Sequence, residues 1–279
     1  MVGRRSQHIQ YKTPEQIARM RAAGLVVAEV LERVSGAAMP GVSTADLDRL
    51  AEEIIRSHGA VPSFLGYHGY PATLCTSVNN QVVHAIPSKE QVLREGDLIS
   101  IDAGAILDGW HGDAAVTVAV GEVAPEVAAL KRAAEEALWV GIAAAAEGVR
   151  SGRGRLTDIS HAVERSVRAS GRYGIVEGYG GHGIGTEMHQ DPHVLNYGRP
   201  GRGPRLVPGL CLAIEPMITL GSPRTVELAD GWTVVTRDGS IAAHVEHTVA
   251  LTEDGAWVLT ARDGGAARLG ELLSSAASA

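Results

Sequence analysis

Apolar positions recur every three or four residues through Ile17, Met20, Gly24, Val27, Leu31 and Val34, the spacing of one buried helix face. Thr13 stands before them as N-cap, with Pro14 at the first helical position and Gln16 where a capping box puts its amide. A second helix is predicted behind Ser43, with Asp46 three residues on, a stripe of Leu47, Leu50, Ile54 and Ile55, and Gly59 as its stop. The pattern then breaks. Residues 62–87 carry Pro, Gly, Tyr and short β-branched runs, which predict loops and strands. Over 98–113 a run rich in Ile and Leu meets Asp108-Gly109, a dipeptide that favours the tight turns joining antiparallel strands. A turn centred between 108 and 109 sets Asp113 opposite Gly104, which leaves Asp102 two residues from direct registry. Two carboxylates on one face of such a hairpin can share a cation. Residues 125–147, Ala-rich with Leu130, Leu138 and Ile142, and a segment from Thr157 to about 171 predict two further helices before strand-like segments resume.

The order of a helix pair followed by strands with paired acids thus occurs twice, and short motifs repeat with it. Gly96-Asp-Leu-Ile-Ser-Ile-Asp102 returns as Gly209-Leu-Cys-Leu-Ala-Ile-Glu215, and His111-Gly-Asp113 as His244-Val-Glu246. Asp46-Leu47, closed by His58-Gly59, returns as Asp158-Ile159 closed by Ser170-Gly171. Matches in one order predict a duplicated unit. Duplication would gather the acids of both halves in one cleft near a pseudo-twofold axis, where like charges cannot all stay ionised without a counter-charge. Metal cations would supply it. The 279 residues, long enough for two domains, are therefore read as one catalytic domain over 1–279, with halves of about 13–123 and 124–260.

Composition narrows the class. With 45% hydrophobic and 20% charged residues, 34 Gly and 12 Pro, the chain is neither disordered, collagen-like nor a coiled coil. Aromatic residues are only 4%, with a single Phe, so an aliphatic core is expected and each Trp and Tyr merits its own reading. A net charge of −7 argues against a broad phosphate-binding footprint, and no DNA partner is expected. The uncharged apolar stretch 137–146 is about half of what spans a bilayer, and the N-terminus lacks the apolar core of a secretory signal. Cys75 and Cys211 are too few for a disulfide framework or a cysteine-ligated metal. A soluble, cytoplasmic protein without membrane association is expected.

At this point the chain resembles the type I methionine aminopeptidases, a family with the pita-bread fold. That fold is α+β, with two pseudo-symmetric halves around an antiparallel β-sheet and helices outside. The resemblance covers about residues 9–260. It rests on Lys12-Thr-Pro-Glu-Gln-Ile-Ala-Arg-Met-Arg-Ala-Ala-Gly24, Phe64-Leu-Gly-Tyr-His-Gly-Tyr-Pro71, Ile101-Asp-Ala-Gly104, Gly112-Asp113, Gly180-Gly-His-Gly-Ile-Gly185, Ala213-Ile-Glu-Pro-Met217 and His244-Val-Glu-His-Thr-Val249. It implies Asp102, Asp113, His182, Glu215 and Glu246 as ligands of two divalent ions, Asp113 and Glu246 bridging them. Four carboxylates and one imidazole suit Co²⁺, Mn²⁺, Fe²⁺ or Zn²⁺, and two such ions balance four negative charges. The resemblance also implies proton transfer by Glu215, and His84 and His189 as the groups that hold the scissile peptide and stabilise the tetrahedral intermediate. Phe64, Tyr67, Tyr70, Cys75, Met188 and Trp232 map to the slot for the methionine side chain. The implied reaction is removal of the initiator methionine from nascent proteins and peptides with a small second residue, by metal-activated water. A monomer acting on nascent N-termini is expected, and the Arg-bearing loops Arg150-Arg153-Arg155 and Arg199-Arg202-Arg205 could touch ribosomal RNA transiently.

Simpler readings compete with some of these assignments. A lone Asp at a strand end is usually a turn former, and aromatic residues usually fill cores. Against core packing alone, a hairpin turn at Asp238-Gly239 would pair Glu246 with Gly231 or Trp232 and set the indole beside the metal site. The glycines of 180–185 lack phosphate-loop spacing and are read as letting backbone pack close around His182. His8, His58, His161 and His193 are read as surface or packing residues, while His68, His111, His244 and His247 have no matched ligand role. The chain departs from the family pattern at Asn80, Ala85, Phe64 and Met188, the last two a swap of bulk across the slot. Alternatives are a prolidase or Xaa-Pro aminopeptidase of the same fold, which usually carries an extra N-terminal domain, and a non-catalytic binding protein, against which the five retained ligands speak.

Overall fold

Both helix starts form as the caps predict. Thr13 N–H donates to Oε1 of Gln16 at 3.0 Å and Gln16 N–H to Oγ1 of Thr13 at 3.4 Å, closing the capping box of α1 (Pro14–Ala37). Ser43 Oγ accepts the Asp46 N–H at 3.2 Å at the head of α2 (Thr44–Ser57). The computed structural model describes residues 8–278; the segment 1–7, where the lack of a secretory core was read, lies outside them. Five strands follow α2: β1 (Val61–Pro62), β2 (Leu74–Val78), β3 (Gln81–Val83), β4 (Leu98–Leu107) and β5 (Trp110–Ala119). Asp108 and Gly109 take φ of 50° and 80°, as a primed turn requires, and Gly104 lies opposite Asp113.

The second helix pair is α3 (Pro125–Arg150) and α4 (Leu156–Ser170). The start of α4 precedes Thr157 by one residue, because Oδ2 of Asp158 accepts the Arg155 N–H at 2.7 Å and satisfies it from within the first turn. Strands then alternate with loops: β6 (Gly174–Ile175), β7 (Gly181–Gly183), β8 (Gln190–Val194), β9 (Cys211–Ile214), β10 (Met217–Thr219), β11 (Thr225–Glu227), β12 (Val234–Thr236), β13 (Ala242–His244), β14 (Glu246–Leu251) and β15 (Ala256–Val258). Nine strands form one antiparallel sheet in the order β1-β4-β5-β14-β9-β7-β8, with β2 on β4 and β15 on β14. Two three-stranded sheets, β13-β10-β6 and β11-β12-β3, complete the strands. The fold is α+β, as expected.

Each helix pair covers its own part of the large sheet. Val27, Leu31, Leu47 and Ile55 pack with Ile99 and Ile101, while Leu130, Ile142, Ile159 and Val163 pack with Leu212, Ile214 and Val249. The core is aliphatic, as the scarcity of aromatics required. Gly24 of α1 is pressed onto backbone: a Cβ there would land on the carbonyl oxygen of Leu259, and a Cβ at Gly112 would lie 2.7 Å from Gly24 N. Gly24→Ala is therefore expected to destabilise the fold by about 1–3 kcal/mol through overpacking. Denaturant melts of the two proteins check this, and an unchanged midpoint would mean that α1 can move off the Leu259–Thr260 backbone freely.

One expected pairing does not form. The turn at Asp238-Gly239 is present, with Gly239 at φ 77° and Asp238 accepting from Ser222 and Ser240 N–H groups, but its arms diverge. β12 pairs with β11 and β3, β13 pairs with β10, and Glu246 lies opposite Ala115 of β5 rather than Gly231 or Trp232. The ladder partners waiting on β3 and β10 compete with the local hairpin and win. Among the described residues no helix is long and apolar enough to cross a membrane.

Candidate metal centre

Alternation along the strands selects the site. On β4, Ile99, Ile101 and Ala103 enter the helix-covered core, which sends Asp102 to the opposite face. On β5 Ala114 enters that core and Asp113 faces away from it; on β14 Val249 and Leu251 do so while Glu246 and Thr248 face the other way. In sheet order, β4, β5, β14, β9 and β7 are consecutive, and each supplies one group: Asp102, Asp113, Glu246, Glu215 just past the end of β9, and His182. His182 lies opposite Ala213, and the glycines around it are required, since a Cβ at Gly181 or Gly183 would strike the carbonyl oxygen of Ala213 or Asp191. Thr248 ties two of these strands together, its Oγ1 donating to Asp113 O at 2.7 Å and accepting from Asp113 N–H at 3.1 Å.

All five groups are buried and line one cavity of about 930 Å³. Nε2 of His182 is 3.6 Å from Oε1 of Glu215 and 3.9 Å from Oδ2 of Asp113. Ligating atoms of Asp113, His182 and Glu246 lie within 4.8 Å of one another, as do those of Glu215, His244 and Glu246. Asp102 belongs to neither group; it sits diagonally from Asp113 across the hairpin. Oδ1 of Asp102, Oδ1 of Asp113 and Oε1 of Glu246 are buried without a hydrogen-bond partner. Orphaned carboxylate oxygens are expensive in a protein interior unless a cation satisfies them. The donor set therefore fits divalent metal ions.

Electrostatics agree. Burial pushes Asp102 up to about 7, and burial followed by the neighbouring Asp102 and Glu215 charges pushes Asp113 well above the usual carboxylate range. Glu246 rises in the same way, from burial first and then from Asp113. Glu215 stands below its usual range: burial pushes upward, but its contacts with His244 and His182 outweigh it. Burial lowers His189 to about 4 and lowers His84 and His182 as well, so these rings are neutral near pH 7, the form in which imidazole binds a metal.

Phe64, Tyr70, Cys75 and Met188 pack as one apolar cluster with Tyr67 and Trp232 partly buried against it, and all six line the cavity. Cys75 is the cross-strand partner of Asp102, so the slot begins one strand from the acids. Tyr70 holds the floor of this slot, its hydroxyl donating to Leu74 O at 2.9 Å, and its ring meets Trp232 edge-on at 5.0 Å. Trp232 arrives through Asp230, whose Oδ1 accepts the Trp232 N–H at 2.9 Å, and not through the expected hairpin. His189 lies 4.3 Å from the His182 ring, with its Nδ1 2.8 Å from Tyr67 Oη. His84 has φ 60°, a left-handed conformation rare outside glycine, and the strain sits at a cavity residue.

Every site residue named from the sequence thus reaches this cavity. His8 and His193, read as surface or packing residues, are exposed but also line this cavity. Tyr179 and Met217 line it and were missed; the rarity of tyrosine was a signal for the first, as Tyr179 directly precedes the glycine motif around His182.

Residues 18–253 match the model of metallopeptidase family M24. The chain belongs to that family. Among M24 relatives, the methionine aminopeptidase 1 of Mycobacterium tuberculosis is 55% identical over 257 residues, covering 90% of this chain and 95% of the relative. The methionine aminopeptidase of Escherichia coli is 40% identical over 255 residues, covering 91% and 94%. The crystal structure of a methionine aminopeptidase from Thermotoga maritima superposes with a TM-score of 0.86 at 43% identity, covering 91% of this chain and 99% of that one. A prolidase from Pyrococcus furiosus, 20% identical with a TM-score of 0.70 and 65% of its length covered, shares the fold alone. The M24 pita-bread fold expected from the sequence is thereby established.

Proposed function

We propose that this M24 member is a methionyl aminopeptidase that removes the N-terminal methionine from polypeptides whose second residue is small. The observation that carries the reading is the adjacency of the apolar slot and the acid cluster, with Cys75 and Asp102 as cross-strand partners. Methionine aminopeptidase relatives of 40–55% identity across most of the chain support it. In this reading Asp102, Asp113, His182, Glu215 and Glu246 hold two divalent ions of the Co, Mn, Fe or Zn type. Bound there, divalent ions act as Lewis acids and lower the pKa of coordinated water towards neutrality.

The chain's own residues do the rest. Phe64, Tyr70, Cys75, Met188 and Trp232 take the methionine side chain and exclude water from it. His84 and His189 hold the scissile peptide, with Tyr67 Oη fixing Nδ1 of His189 at 2.8 Å. Glu215, ionised between two rings, carries a proton to the departing amine. Protein stripped with chelator and reloaded with Co²⁺ or Mn²⁺ is expected to hydrolyse Met-Ala-Ser. Norleucine in place of Met should be a poorer but measurable substrate, because closely similar side chains in an apolar slot differ by only about 1–3 kcal/mol. Fast turnover of Xaa-Pro peptides with Met peptides untouched would move the chain to the prolidases.

The same reading gives nascent N-termini as partners, a cytoplasmic monomer, and a single catalytic domain over 1–279 built from halves of about 13–123 and 124–260. Exposed arginines support transient ribosome contact: Arg155 and Arg205 face each other as a bridge pair that joins the two loops, and Arg150, Arg153, Arg199, Arg202 and Arg205 are exposed. Co-sedimentation with ribosomes should then appear at low salt and decline as salt rises. Its absence at low salt would remove the arginine surface from the account.

A further inference from the structure

One imidazole stands against the acid cluster without belonging to the five proposed ligands or to the slot. His244, the last residue of β13, is 1% exposed, and its Nε2 is buried with no hydrogen-bond partner. That atom lies 3.5 Å from Oε2 of Glu215 and 3.9 Å from Oε2 of Glu246. The other oxygen of Glu215, Oε1, faces Nε2 of His182 at 3.6 Å. Glu215 is therefore flanked by two rings, one at each oxygen. Since Nε2 of His182 also lies 3.9 Å from Asp113, Oε1 is the oxygen that faces the His182 and Asp113 side. Oε2 faces His244, whose Nε2 also approaches Glu246.

A carboxylate that binds a metal through one oxygen is free to rotate unless the second oxygen is fixed by a donor, and such outer partners orient the ligand. No other side chain among the described residues makes a hydrogen bond or ion pair with Oε2 of Glu215, apart from this approach of His244. The imidazole is also well anchored for the task. The His244 N–H donates to Ser100 Oγ at 3.1 Å and Thr117 Oγ1 at 3.2 Å, and its carbonyl accepts from Thr117 Oγ1 at 2.7 Å. Ser100 and Thr117 belong to the hairpin that carries Asp102 and Asp113, and His244 pairs with Met217, two residues past Glu215. The donor is thus referenced to that hairpin and, through the β13–β10 pairing, to the strand that follows Glu215.

We propose that His244 is a positioning residue of the metal centre, its Nε2–H donating to Oε2 of Glu215 and holding Oε1 towards His182 and Asp113. The proposal rests on the ligand set given under the proposed function. It assigns the imidazole no bond to metal, although the grouping of Glu215, His244 and Glu246 within 4.8 Å makes direct ligation the natural rival. A glutamine at this position separates the two, because its amide still offers an N–H donor but is a poor substitute for imidazole as a ligand.

Chelator-stripped full-length protein would be titrated with Co²⁺ by calorimetry in the absence of substrate, for the native chain and for His244→Gln, His244→Asn and His244→Leu, with melting curves to select folded variants. Leu, which offers no donor, and Asn, which is too short to reach, are each expected to weaken Co²⁺ binding about 10–100-fold, and Gln to restore it to within about threefold. If the Leu variant does not fold, the Asn and Gln pair carries the same contrast. Native-like Co²⁺ affinity in the Asn or Leu variant would overturn the proposal, and Gln binding as weakly as Leu or Asn would overturn it in favour of direct ligation. A native chain that binds no Co²⁺ would instead overturn the ligand set itself, an outcome visible before any variant is compared.

Discussion

Glu215→Gln is expected to lower kcat for Met-Ala-Ser by about 10²–10⁴-fold, the range that positioned proton transfer contributes. Gln keeps the shape of the side chain and most of its contacts, but cannot accept and pass on a proton. The surroundings of this acid differ from those of the other three. Asp102, Asp113 and Glu246 are pushed upward in pKa by burial, and Asp113 and Glu246 further by neighbouring acids, whereas contacts with His244 and His182 hold Glu215 in its ionised form. In the metal-free protein it is the one carboxylate of the four held ionised near neutral pH. Steady-state kinetics on metal-loaded protein with an unchanged melting curve provide the check. A variant turning over at near-native rate would remove Glu215 from the proton-transfer step.

Removing the metal is the second large effect expected. Stripped protein should lose hydrolysis of Met-Ala-Ser entirely, recover it with Co²⁺ or Mn²⁺, and melt at a lower temperature than the loaded form. A ligand at 100 times its Kd adds about 2.7 kcal/mol to stability. The stripped form should also carry a distinct pH dependence. Asp102, raised to about 7 by burial, and Asp113 and Glu246, raised further by their neighbours, hold protons in the folded state that the unfolded chain releases near pH 4. Their contribution is fully present below the unfolded pKa and is lost as pH rises through the folded values, while the lowered His84, His182 and His189 oppose it up to the unfolded His value of 6.5, so a net fall is expected from about pH 6.5 upward. Loaded protein, with those acids neutralised by cations, should lack this decline. Identical melting profiles for the two forms across pH 5–8 would mean that the acids are not brought together as described.

Much of this site was legible in the chain because its determinants are local. Alternation along a strand and the Asp108-Gly109 turn fix the register of β4 on β5, and the predicted opposition of Gly104 and Asp113 is the one observed. The capping residues Thr13, Ser43 and Pro14 likewise act within one helical turn, and both helices begin where they indicate. The ligand types, and the resemblance they carried, needed only residue identity and spacing.

The turn at Asp238-Gly239 shows where local reasoning ends. Its chemistry is that of a hairpin and the turn does form, yet β12 and β13 part to join different sheets, because β3 and β10 offer longer-range partners. Trp232 still reaches the slot, held by Asp230 rather than by Glu246's strand. His244 had a sequence signal in the echo between His111-Gly-Asp113 and His244-Val-Glu246, but nothing in the spacing said that its ring would face Oε2 of Glu215. The sequence by itself determined the four main helices and the central hairpin, since each follows from neighbours a few residues away, while the five proposed ligands were named by the family resemblance. Only the tertiary structure decided that five consecutive strands of one sheet bring those side chains within a few ångströms, and which oxygen of Glu215 meets which ring, because strand order and side-chain approach depend on contacts between distant residues, such as His244 and Ser100, 144 positions apart.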